Sequence, residues 1–359
     1  MNPNTPSPAV NQLPARRTSA HARSSALLPA LVLAALYTGA GTGIAIAPSS
    51  AHAQAPNPAE LVDALEGVFG KQAGARRSGA KGVCVEGFFV GTPEGRALST
   101  SAIFSGAEVP VVARFSVGGG NPKASDKGKT VRGLALAMKG PGGEQWQMAN
   151  ISAPVFFVNK PENFVKFLDA RRPDPATGRP DPTKVKAFND SHPDAKPQID
   201  WLAKTPVTAS YATVNYWGAN AFEFTGARGV KQFGKWVFEP ARGQESLTDE
   251  QLKSMPDDFL ADELRSRVKT KSIAFDFNVQ LAKAGDNITD ATVPLPADRP
   301  VVTAGRLVIN KIEAGAGGAC EKITFNPLVL PKGVGPSTDP VLMARPGSYA
   351  VSLGRRLTN

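Results

Sequence analysis

The chain is 359 residues long, with 41 Lys and Arg against 31 Asp and Glu, a formal net charge of +10 and 42% hydrophobic residues. With 35 Gly and 31 Pro, this composition excludes a disordered, collagen-like or multi-span membrane chain and allows one large globular domain or two modest ones. No stretch combines five or more basic residues with interleaved aromatics, so the positive charge points to a basic pocket for an acidic small molecule and away from a nucleic-acid surface.

The first segment in chain order reads as a leader. Residues 1 to 25 carry Arg16, Arg17 and Arg23 and no acid, Ala26 to Ala47 is small and apolar, and Ala51-His52-Ala53 is an A-x-A cleavage site. These features predict a signal peptide over residues 1–53, because Pro29 and the Gly/Thr-rich run from Thr38 to Gly43 make a poor permanent span. Arg16-Arg17 matches a twin-arginine signal in the pair alone. The predicted mature protein is a single domain, residues 54–359, exported to the periplasm and free of the membrane. Removing 53 residues from 359 leaves 306, and losing three arginines lowers the net charge to +7, with His192 as the one remaining histidine. An oxidising compartment lets Cys84 and Cys320 pair if the strand-like runs beside them, Gly82–Val90 and Glu321–Phe325, are neighbours; otherwise they are two buried free thiols. Two cysteines with no histidine nearby fall short of a metal site.

A helix is predicted from Pro58 to Phe69, with Asn57 as its cap, Glu60 three residues on, and Leu61, Leu65, Val68 and Phe69 on one stripe. Strand-like runs follow at Gly82–Val90, Val109–Val117, Val131–Lys139 and Glu144–Met148, separated by Gly, Pro or Asp turns. A helix over Glu162–Ala170, a Pro-rich excursion from Arg172 to Pro182 and a helical stretch to Lys204 interrupt them. Further strands are read at Phe222–Phe224, Lys235–Phe238, Ser272–Leu281 and Arg306–Ile312, with a helical stretch over Asp249–Val268 that Thr248 and Gln251 cap and Pro256 breaks. About eight antiparallel strands suffice for a closed barrel with helical insertions, an α+β fold that can hold one bulky ligand in or beside its mouth. A last helix, Asp339–Leu357, contains Pro346 and Gly347.

That last helix carries the chemistry. Arg345 and Tyr349 are i and i+4, and Arg356, eleven residues beyond Arg345, falls on the same face at about 100° per residue. A guanidinium beside a phenol favours the phenolate, a hard anionic ligand for ferric iron and one of the few axial ligands that proteins use for haem. On this helix alone, a half-buried tyrosine with solvated arginines is the favoured description.

Six segments add to it: Arg76-Arg77-Ser78-Gly79-Ala80-Lys81-Gly82, Val112-Ala113-Arg114-Phe115-Ser116, Val131-Arg132-Gly133-Leu134-Ala135, Pro154-Val155-Phe156-Phe157-Val158, Gly305-Arg306-Leu307-Val308-Ile309-Asn310 and Ala344-Arg345-Pro346-Gly347-Ser348-Tyr349. In this order they resemble the catalase family, specifically its short, exported, catalase-related peroxidases, over about residues 58–357. The resemblance implies an eight-stranded antiparallel catalase-like barrel with a C-terminal haem-ligating helix, haem b as cofactor, and a small-molecule peroxide and an electron donor as partners. It implies Tyr349 as axial ligand to the iron and Arg345 as the residue that keeps it ionised. It further implies Arg76, Arg114 and Arg356 as partners of the haem propionates, and Phe157 and Phe164 as distal aromatics.

The resemblance also marks departures. The family places a distal histidine in His-Ala-Lys-Gly, where this chain has Gly79. The family's distal asparagine falls on Ile151 or Ser152, and of these only Ser152 can donate a hydrogen bond, which makes it the candidate catalytic residue. Lost general acid–base catalysis costs about 10²- to 10⁴-fold in rate. The expected function is a haem peroxidase acting on hydrogen peroxide or organic peroxides with reduced activity. The alternatives are a non-catalytic periplasmic haem carrier, store or sensor, and a haem-free barrel for an acidic apolar molecule. Pro346 predicts a distorted turn between Arg345 and Tyr349.

Overall fold

The computed structural model describes residues 55–313 and 318–358; the predicted leader lies outside the described residues. Nine strands form one sheet: β1 (Gly82–Gly91), β2 (Glu108–Val117), β3 (Arg132–Lys139), β4 (Gln145–Ile151), β5 (Tyr216–Thr225), β6 (Lys231–Pro240), β7 (Ile273–Leu281), β8 (Val301–Ile312) and β9 (Val334–Pro336). The first eight follow the order β4-β3-β2-β1-β8-β7-β6-β5, and a β4–β5 pairing at Ile151 and Trp217 closes them into an antiparallel barrel. β9 adds to β5 outside that ring. The eight runs assigned to the barrel are all present as strands, most of them longer than the residues alone mark. β5 is the extreme case, because Gly218-Ala219-Asn220-Ala221 has weak strand preference and sits where a bulge shifts the register.

Side-chain alternation divides the barrel wall. Phe115, Leu134, Leu136 and Met148 point inward, and Arg114, Ser116, Gly133, Ala135, Ala149 and Ile151 alternate with them on the outer face of β2 to β4. The interior is filled with aromatics: Phe89 and Phe277 lie 5.8 Å apart, Trp146 and Trp236 5.7 Å, and Phe238 and Phe277 4.8 Å. A bulky ligand therefore has no room inside the barrel, and the small residues on the outer face leave room against the wall instead.

Among the described residues there are eight α-helices: α1 (Pro58–Phe69), α2 (Pro93–Leu98), α3 (Pro161–Asp169), α4 (Pro182–Ser191), α5 (Lys196–Lys204), α6 (Asp249–Ser254), α7 (Phe259–Thr270) and α8 (Pro340–Thr358). α1 starts with the predicted capping box: the Asn57 side chain accepts from the Glu60 amide at 3.1 Å, and Glu60 accepts from the Asn57 amide at 3.0 Å. It packs on α3 and α8, and a side chain at Gly347 would press within 2.7 Å of Pro58, so glycine permits the α1–α8 approach. Buried Glu66 ties these parts together, accepting from Arg77 at 2.6 Å and from Arg355 of α8 at 2.9 Å. The predicted break near Pro256 is real, separating α6 from α7. α8, by contrast, runs unbroken through Pro346, so Arg345 and Tyr349 stay one turn apart.

Cys84 of β1 and Cys320 form a disulfide, with their Cα atoms 5.5 Å apart. The expected strand over Glu321–Phe325 does not form. Cys320 sits in a 3-10 turn, Ala319–Lys322, and Phe325 takes a positive φ of 56°. Arg76 donates to the carbonyls of Cys320 and Ile323, both at 2.9 Å, which satisfies backbone acceptors a strand ladder would otherwise use. Reduction of this disulfide, which closes a span of 236 residues, is expected to lower the unfolding free energy by about 2–4 kcal/mol. Denaturant melts with and without reductant, compared with a Cys84→Ala/Cys320→Ala variant, read this directly; coincident midpoints would reject it.

Candidate active site against the barrel wall

A cavity of about 290 Å³ lies between the outer face of β2 to β4 and helices α1, α3 and α8. Of the residues singled out in the sequence, Arg76, Gly79, Arg114, Ile151, Phe164, Arg345, Tyr349 and Arg356 all line it. Residues up to 280 positions apart in the chain are thus brought to one cleft by barrel closure and by the docking of α8.

Tyr349 sits on the wall formed by α8. The Arg345 guanidinium donates twice to its phenol oxygen, from Nη2 at 2.7 Å and from Nε at 3.1 Å. Two charge-assisted donors on one oxygen hold it in one place. Arg345 is held in turn: its Nη1 donates to the Asn220 side-chain oxygen at 3.2 Å, and the Asn220 amide donates to Asp339 Oδ2 at 2.8 Å. Asp339 is fully buried and accepts from the Val341 amide at 2.8 Å, capping α8. Burial pushes the Asp339 carboxyl above its ordinary range, against the opposing pull of Asn220 and the cap amides. The chain Asp339–Asn220–Arg345–Tyr349 therefore locks the phenol to both the helix start and the barrel. The sequence gives no sign of Asn220, which lies in the irregular stretch of β5 where a bulge re-aims side chains.

At the other end of the cavity, Arg76, Arg114 and Arg356 converge as anticipated, and they converge on a carboxylate the sequence reading missed. Glu321 Oε1 lies 2.8 Å from Arg114 Nε, and Oε2 lies 3.4 Å from Arg76 Nε and 3.8 Å from Arg356 Nη1. Burial, followed by repulsion from Arg114, lowers Arg76 to about 10. Burial also lowers Arg356. Glu321 is raised by burial but pulled further down by Arg114 and its neighbours, so it ends below its ordinary range. Arg76 Nε and Arg356 Nη1 are buried without a hydrogen-bond acceptor, an arrangement suited to further anionic oxygens.

The remaining wall holds Gly79, Ser116, Ile151, Phe156 and Phe164. Gly79 has φ +61°, and its carbonyl accepts from Arg114 Nη1 at 2.6 Å. Ser152 does not reach this cavity. Its hydroxyl accepts from the Arg132 amide at 2.8 Å, and it lines a separate space of about 30 Å³ with Arg132 and Val207. The strand register explains this, since Ile151 is the last residue of β4 on the cavity side. Phe157 also turns away, into a cluster with Phe156 at 4.2 Å and Phe167 at 4.4 Å, leaving Phe156 to face the cavity.

None of the other nearby polar groups is poised as a base. Lys81 is bonded to Asp126 at 2.8 Å and to two carbonyls, Glu86 pairs with Lys311 at 2.8 Å, and the Asn150 amide is spent on Leu134 and Trp236. His192 caps α4 with its ring stacked on Phe188 at 4.0 Å, away from the cavity lining.

The family model for catalase matches residues 59–359. The chain belongs to the catalase family. It is similar to the catalase-related peroxidase of Synechococcus elongatus, 41% identical over 327 residues that cover 91% of this chain and 95% of that protein. The catalase-related peroxidase of Mycolicibacterium paratuberculosis is 31% identical over 300 residues, 83% of this chain and 94% of that one. Among solved structures, catalase A from Saccharomyces cerevisiae superposes with a TM-score of 0.73 at 23% identity, over 80% of this chain. A bacterial catalase gives 0.72 at 22% identity, also over 80%. The chain spans 62% and 58% of those two catalases, so the likeness carries the barrel and its helices. Among the described residues that line the cavity with Gly79 there is no His, Asp or Glu.

Proposed function

We propose that this chain is a haem-dependent peroxidase of the catalase-related type, binding haem b and acting on hydrogen peroxide and organic peroxides with a reduced rate. The observation that carries the reading is Tyr349, its oxygen fixed by two Arg345 donors on a cavity whose far end is lined by three arginines. The donor set fits the cofactor: a phenolate oxygen suits ferric iron, and Arg76 and Arg356, each with a buried N–H lacking an acceptor, suit two propionates beside Arg114. Haem bound there supplies the redox chemistry that cleaves the peroxide O–O bond. The protein's own residues then do three things. Arg345, Asn220 and Asp339 hold the Tyr349 oxygen and its charge in place. Leu61, Val62, Leu65 and Phe164 exclude water and admit an alkyl substituent. Ser116 is a hydroxyl across from Gly79, 3.1 Å from where a Gly79 side chain would start, and it can donate a hydrogen bond to a peroxide oxygen but cannot take its proton near neutral pH. Proton transfer is left to solvent, which sets the reduced rate.

The lack of a base at Gly79 also supports a second reading, a periplasmic haem carrier, store or sensor without turnover. Export to the periplasm accords with the Cys84–Cys320 disulfide. The deciding experiment follows oxidation of a dye by the haem-loaded protein with hydrogen peroxide and with an organic hydroperoxide. Multiple turnovers per haem, faster with the organic peroxide and absent in Tyr349→Phe, are expected. Bleaching without turnover would favour the carrier.

A further inference from the structure

We propose that Glu321 is a fixed internal competitor for the carboxylates of the ligand, and that it determines how many such carboxylates the arginine cluster accepts. The proposal rests on the haem reading above and concerns the far end of the same cavity.

Three guanidiniums and one carboxylate give this cluster a formal charge of +2. Glu321 supplies only two acceptor oxygens to three arginines, and shares them unequally: one makes a close pair with Arg114 at 2.8 Å, while the other lies at 3.4 and 3.8 Å from Arg76 and Arg356. Those two arginines each keep a buried N–H without an acceptor. The cluster is therefore built for more anionic oxygen than Glu321 provides, and its residual charge matches a ligand with two carboxylates.

Glu321 cannot withdraw to make room. Its neighbour Cys320 is bonded covalently to Cys84 of β1, and Arg76 grips the carbonyls of Cys320 and Ile323 on either side of it. Glu321 itself does not line the cavity, whereas Arg76, Arg114 and Arg356 do. It thus stands behind the arginines as a permanent negative charge that repels a ligand carboxylate and keeps three buried cations from repelling one another. Near the protein surface, one charge that close behind the arginines changes the affinity for a carboxylate by roughly tenfold.

The test compares haem, which has two carboxylates, with haem dimethyl ester, which has none, by absorbance titration of haem-free protein. Glu321→Gln removes the charge and keeps an oxygen for Arg114. The expected result is about tenfold tighter haem binding with dimethyl ester binding unchanged within twofold, accompanied by a lower melting temperature of the haem-free variant that haem restores. Glu321→Asp, which keeps the charge, is expected to retain the wild-type ratio of the two affinities. If Glu321→Gln does not fold, Glu321→Ser removes the same charge and is read the same way. An unchanged ratio in the charge-free variant, or weaker binding of both ligands alike, would overturn the proposal in favour of a purely structural Glu321. Failure of both ligands to bind the wild type would overturn the haem reading itself, a result distinct from either.

Discussion

Tyr349→Phe is expected to lower haem affinity by at least 100-fold and to remove the tyrosinate-type ferric absorption. The substitution deletes one oxygen from a half-buried side chain on α8, so the fold should survive with a stability change within about 1 kcal/mol. The loss at the site is much larger. Arg345 Nε and Nη2 both point at that oxygen; without it the guanidinium keeps only its bond to Asn220 and becomes a part-buried, under-paired cation beside the ligand. Among the described residues no other phenol lines the cavity to substitute, since Tyr211 and Tyr216 are buried in the barrel core. Haem titration followed by ferric spectroscopy checks this. Retention of haem with an unaltered spectrum would remove Tyr349 from its assigned place.

Gly79→His is expected to raise peroxide turnover by about 10²-fold, the lower end of what a positioned general base contributes. Two structural facts qualify the gain. The backbone at residue 79 has φ +61°, a conformation that histidine adopts more readily than most residues but at a cost of about 1 kcal/mol in stability. A side chain there also starts 3.1 Å from Ser116 Oγ, so the hydroxyl must shift slightly, and it is well placed to hold the imidazole. The gain should appear above the imidazole pKa of about 6.5 and disappear below it, where the ring is already protonated. Gly79→Asn meets the same backbone and cannot accept a proton, so it should gain nothing. If histidine and asparagine behave alike in folded, haem-loaded protein, the wall around residue 79 serves ligand admission and not proton transfer.

The parts of this molecule that were legible in its sequence are those governed by short-range patterns. The α1 capping box and the turn-bounded apolar runs of β1 to β3 are local, and Arg345 and Tyr349 meet because α-helical spacing alone brings i and i+4 together. Asn220 and Glu321 were not legible, for a common reason. Each is positioned by an irregular backbone, a bulge in one case and a 3-10 turn held by Arg76 in the other, and neither leaves a periodic trace. Ser152 shows the opposite failure: a motif anchor placed it one residue beyond the end of β4, where the cavity face has already been left behind. Pro346 was read from its intrinsic cost, whereas the packing of α8 on α1 and the barrel kept the helix whole.

The Cys84–Cys320 bond has a topological consequence. Apart from the first two residues of β1, all eight barrel strands fall between the two cysteines, so the barrel is a covalently closed ring. α1 leaves this ring at one side of the linkage and α8 at the other, and the two tails meet again through Glu66 and Gly347. The cavity is bounded by the ring's outer wall and by these two tails. A nick in any barrel loop leaves one covalent molecule, while parting of the tails uncovers the cavity with every barrel strand still paired. Ligand retention and barrel integrity are thus assigned to different parts of the chain, and either can be lost without the other.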